Sequence, residues 1–163
     1  MGQRIFCPTD LTEQSRLSVT YAFRLAKENS AQLIVFHATS FPSLSCYPCD
    51  LEPYYEWEQL ASRFKVDQLL SDAESKVKDF VGVRFGAESD GVAWKPRVAL
   101  GRIAEEIVAA ALQEEVDLIV LARRKKGMFA RLLSRSVSEA VSKNPPCPLL
   151  SIDASQPIRP VRG

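Results

Sequence analysis

Glycine is scarce in this chain, 7 residues in 163, and histidine appears once, as His37. The shortage of glycine matters most after the apolar run 117–122, DLIVLA, in the kind of strand-to-helix loop where α/β folds hold anions. That loop carries Arg123, Arg124, Lys125 and Lys126 but a single glycine, Gly127. A lone histidine near the end of a buried strand is more often a satisfied core residue than a catalyst. No serine or cysteine has a base placed for it by a familiar motif, and no paired carboxylates stand out. Hydrolysis and phosphoryl transfer are therefore unsupported, and the chain is not expected to be an enzyme. Excess charge is missing too: Lys+Arg 21 against Asp+Glu 20 leaves a net charge of +1, with no long-range field to draw nucleic acid or an anionic membrane. No apolar run approaches the roughly 18 residues that span a bilayer. MGQRIFCPTD leads almost directly into a strand, which leaves no room for a signal peptide, and Phe6 stands where a myristoylation signal needs Ser or Thr. These absences predict a cytoplasmic protein.

What is present alternates. Residues 4–8, RIFCP, and 31–38, AQLIVFHA, are apolar runs of strand length, and further strands are expected at about 93–100, AWKPRVAL, at 117–122 and at 147–152. Between them lie helical periodicities. Over 13–29 the repeating positions are Leu17, Tyr21, Ala22, Leu25 and Ala26. Over about 57–81 the inner side is Trp57, Leu60, Ala61, Phe64, Ala73, Val77 and Phe80, after which Gly82, Gly86 and Gly91 break the pattern. Over 102–115, Ile103, Ile107, Val108, Ala111 and Leu112 face inward. Over 130–143 the apolar face is Leu133, Val137, Ala140 and Val141. Strands alternating with helices predict an α/β domain, a mostly parallel sheet with helices on both faces. The domain is expected over 1–153, with 154–163 a polar tail. Right-handed crossovers gather the loops after Pro8, Ala38, Leu100 and Ala122 on one edge, where a ligand would sit.

Several features on that edge have two readings. Asp10 suits a helix N-cap with Glu13 as its reciprocal partner. The basic run 123–126 suits phosphate or an acidic partner, and equally a solvated turn. Interleaved aromatics are nearly absent, so nucleic-acid binding is not expected. Cys46-x-x-Cys49 invites a metal or thiol-redox reading, with Cys7 and His37 as further ligands at neighbouring strand ends, but no second ligand pair completes the motif. Phe41, Tyr47, Tyr54, Tyr55 and Trp57 in the loop 39–58 suit either a protein-partner surface or a lid on the domain.

Four segments in order, CPTDLTEQSRLSVTYAFRLA, AQLIVFHA, GRIAEEIVAAALQEEVDLIVLA and SVSEAVSKNPPCPLLSI, resemble the universal stress protein family over residues 3–152. The resemblance implies a Rossmann-like five-stranded parallel sheet in the order 3-2-1-4-5. It implies a role in stress response and a homodimer formed through the last strand. Some members of the family bind ATP or AMP through the first Asp and a pattern G-x-x-G-x₉-G-[S/T] after the fourth strand. On that pattern Asp10 and Ser136 match, whereas Ala122, Lys125 and Arg135 stand where the three glycines belong. Glycines in phosphate loops allow positive φ and let backbone N–H groups approach the ligand. Long side chains at 125 and 135 occupy that space. Nucleotide binding is therefore expected to be weak or lost, the alternative being a grip on phosphate by Asp10, Ser136 and the side chains of 123–126.

Overall fold

In a computed structural model, the structure describes residues 2–39, 65–123 and 141–153. Five parallel strands form one sheet: β1 (Arg4–Pro8), β2 (Gln32–Thr39), β3 (Trp94–Leu100), β4 (Leu118–Arg123) and β5 (Leu149–Asp153). Their order is β3-β2-β1-β4-β5, the order that the resemblance implied. The central strands are apolar on both sides because both are covered. Ile5 and Cys7 of β1 face one helical layer while Phe6 faces the other.

The first layer is α1 (Arg16–Glu28), α2 (Val66–Arg84) and the short α3 (Gly86–Ser89). Phe23 is fully buried there, its ring 5.9 Å from Phe85 and 6.3 Å from Trp94. The second layer contains α4 (Ile103–Gln113), which packs Ile107, Ala110 and Ala111 onto Phe6, Ile34 and Ile119. Val141, at the end of a helix of which 141–143 are described, joins the same cluster.

Three sequence expectations need correction. The buried face of α1 is Val19, Ala22, Phe23 and Ala26, while Leu17, Tyr21 and Leu25 are only half-buried. A helix crossing a sheet buries the stripe its axis presents, and the stripe here is rotated toward the phenylalanine. Gly82 and Gly86 do not end the second helix: α2 runs through Gly82 to Arg84, and Gly86 opens α3. The turn is made at Gly91, whose φ of 74° a side chain resists. Ile103 and Leu112 do not face inward; they are 44% and 60% exposed, at the two ends of α4. The expected helical positions 57–64 and 130–140, the aromatic loop and the tail 154–163 lie outside the described residues.

Candidate functional site

The sheet's order reverses direction at β1, whose neighbours β2 and β4 lead to opposite edges. In parallel α/β sheets a ligand crevice opens at the carboxyl ends of the strands flanking such a point. Here that point lies between the carboxyl ends of β1 and β4.

The loop after β1 is wired by its own hydroxyls. Thr9 continues the ladder, its amide donating to the Phe36 carbonyl at 2.8 Å. The chain then turns through Leu11 at φ 60°, and the Leu11 amide donates to Thr9 Oγ1 at 3.0 Å. Ser15 Oγ donates its proton to the Thr12 carbonyl at 2.9 Å. The contact of 2.7 Å between Thr9 Oγ1 and Ser15 Oγ must then run from threonine to serine. The result is a directional chain: Leu11 amide, Thr9 hydroxyl, Ser15 hydroxyl, Thr12 carbonyl. Ser15 and Thr9 are buried, so these bonds are made away from competing water.

Asp10 stands exposed at the outer side of this turn. Its Oδ1 accepts from the Thr12 amide at 3.1 Å and from the Thr12 hydroxyl at 2.6 Å. That is an Asx turn rather than the expected helix cap. A 3-10 turn, Glu13–Ser15, follows before α1 begins, and the N-cap of α1 is Ser15. Glu13 pairs with Arg84 of α2 and, at 3.7 Å, with Arg16, instead of returning to Asp10 as a capping partner. The hydroxyl run T-D-L-T-E-Q-S straight after a strand was the available sequence signal for this wiring, and Thr9, Thr12 and Ser15 are the residues that the sequence reading missed.

His37 joins the same turn. Its Nδ1 lies 2.9 Å from the Thr9 carbonyl, and a carbonyl only accepts, so Nδ1 carries a proton. The ring thus ties the exit of β2 to the exit of β1. Cys7 lies one layer deeper in the core, and burial pushes its thiol up to about 12, with a hydrogen bond from Ser18 acting the other way. A metal-binding or nucleophilic thiol needs the opposite shift. Cys46 and Cys49 lie outside the described residues, and among the described residues no three His, Cys, Asp or Glu side chains converge.

Across the crevice, Ala122 is half-buried near the end of β4 and pairs with Ile152, and Arg123 pairs in register with Asp153. Arg124, Lys125, Lys126, Arg135 and Ser136 lie outside the described residues. Gly101 closes β3, its amide donating to the Thr39 carbonyl at 2.9 Å, with the Glu106 carboxylate folded over it. A cleft of about 410 Å³ lies at the other end of the sheet, lined by Gly2, Gln3, Arg4, Glu115 and Asp117. Its charges already have backbone partners: the Arg4 amide donates to Asp117 Oδ2 at 2.7 Å, and the Arg4 guanidinium to the Glu114 carbonyl at 2.7 Å.

Sheet order, parallel strands and a pre-formed acidic turn at the reversal point define a Rossmann-like domain. Comparison with known proteins narrows this. The model of the universal stress protein family matches residues 1–152, and the chain belongs to that family. It is similar to a universal stress protein of Thermus aquaticus, 31% identical over 93% of this chain and 99% of the relative. It is also similar to one from Methanocaldococcus jannaschii, 29% identical over 92% of this chain and 81% of the relative. Among solved structures, a universal stress protein in complex with cAMP has the same fold, with a TM-score of 0.60 and 20% identity over 94% of this chain and 98% of the other. No helix among the described residues is long and apolar enough to cross a membrane.

Proposed function

We propose that this chain, a domain over 1–153, is a cytoplasmic, non-catalytic regulatory binding protein of the universal stress type, in which nucleotide binding is weak or lost. The observation that carries the reading is the mismatch between the two sides of the crevice. The Asp10 side is built, with its carboxylate oriented by two donors from Thr12. The phosphate side has Ala122, Lys125 and Arg135 in place of glycine. A phosphate loop holds its ligand by backbone N–H groups, and each added side chain takes the space they need. Signal output is then left to protein contacts, and a homodimer joined through β5 belongs to this reading.

A second reading keeps ATP or AMP, held by Asp10, Ser136 and the cations of 123–126. The exposed, pre-oriented Asp10 favours it, as does the cAMP complex of a protein with this fold. Titration calorimetry with ATP and Mg²⁺ separates the two. The first reading expects no micromolar binding, and Asp10→Ala leaves the trace unchanged. Micromolar binding that Asp10→Ala abolishes would overturn it in favour of the second.

A further inference from the structure

The two edges of the sheet are not equivalent. In a parallel ladder both backbone groups of a residue point to the same side, and successive residues alternate. The Leu33 amide donates to the Ala93 carbonyl at 2.8 Å and the Gly101 amide to the Thr39 carbonyl at 2.9 Å. Odd-numbered residues of β3 therefore face β2. Trp94, Pro96, Val98 and Leu100 turn their backbone groups to the outer edge. Pro96 sits mid-strand on that edge, paired in register with Val35, and it has no N–H to give an incoming strand.

Side chains reinforce the block. Lys95 and Arg97 lie on the α4 face of β3, where Glu114 holds both, Lys95 Nζ at 2.6 Å and Arg97 Nε at 3.4 Å. The Gln113 side chain accepts a further bond from Arg97 at 3.1 Å. A strand added beside β3 would lie along these two cations, and charged side chains turned inward on an edge strand are a recurrent means of refusing partners.

At the other edge the pattern is reversed. The Ile119 amide donates to the Pro148 carbonyl at 3.0 Å, so Pro148, Leu150 and Ile152 face β4, and Leu149 and Ser151 turn outward with their N–H groups intact. Pro96 thus turns its backbone outward on β3, whereas Pro148, just before β5, turns inward to β4.

We infer that Pro96 closes the β3 edge to strand addition, so that copies of this chain join through β5 alone and assembly ends at two. The count of two rests on the β5 dimer proposed above; the closure of β3 does not. Light scattering on Pro96→Thr tests the closure, since threonine restores the donor in a β-favouring residue. The weight-average mass of the variant is expected to rise about twofold or more over wild type with increasing concentration. A folded variant with the wild-type mass at every concentration would overturn the inference. Hydrogen exchange on the wild-type protein decides it independently of whether the variant folds. The Val98 and Leu100 amides should exchange at rates that do not change with concentration, and protection that grows with concentration there would also overturn it. Wild-type mass alone reports on the β5 dimer: a monomer at all concentrations removes that reading and leaves the Pro96 comparison standing.

Discussion

Ser30 and Glu115 each follow a helix and each hold positive φ, 50° and 48°. Both sit where a Schellman cap wants glycine. After α1 the Ala31 amide returns to the Ala26 carbonyl at 2.9 Å, and after α4 the Val116 amide returns to Ala111 at 3.2 Å. A Cβ in this conformation costs about 1–2 kcal/mol, part of which glycine's added freedom in the unfolded chain offsets. Ser30→Gly and Glu115→Gly are each expected to raise unfolding free energy by about 0.5–1 kcal/mol in urea titrations. The exposed Arg4–Glu115 pair, at 3.7 Å, adds too little to reverse the sign. Cys7 gives a pH prediction. Its folded value of about 12 lies above the ordinary 9.0, so its contribution to stability is complete below 9.0 and is lost as pH rises toward 12. Between those limits wild type should lose stability more steeply than Cys7→Ala. Below them, Cys7 should react with a thiol reagent only after the protein unfolds.

Elements were legible from sequence where periodicity was strong and boundaries were chemical. β1, β2 and β4 were readable as apolar runs, because strands covered on both faces leave little polar alternation to misread; edge strand β3, with Lys95 and Arg97 alternating along it, was readable from its place after Gly91. Helix faces were harder. In α1, leucines and a tyrosine at helical spacing looked like the buried stripe, yet aromatic packing of Phe23 with Phe85 and Trp94 sets the rotation of the helix. Phe23→Ala is accordingly expected to cost about 3–5 kcal/mol and Leu17→Ala about 1 kcal/mol, compared by chemical denaturation. Equal costs would return the helix to the stripe read from sequence. Gly82 misled because one glycine in a long helix costs only about 1 kcal/mol, which the surrounding burial of Val77, Phe80 and Val81 outweighs.

For the whole molecule, alternation of strand and helix was sufficient for fold class. The wiring of the turn after β1 did not follow from it. Asp10 was recognisable, but its partner is set by a turn in which hydroxyls compete for the same few backbone groups, and spacing alone does not say which one wins. The edges were likewise invisible, because the side to which Pro96 points depends on register. The central place of β1 has a temporal consequence. One of its flanks is closed by β2, which follows α1 directly, but the other waits for β4, and the Arg4 amide meets the Asp117 carboxylate across 113 residues of sequence. A chain growing from its amino end therefore carries RIFCP, apolar toward both layers, with one edge open until most of its length is available. The first of the sheet's five strands to be made is among the last to be enclosed, and for that interval the open edge belongs to the strand at the centre of the finished sheet.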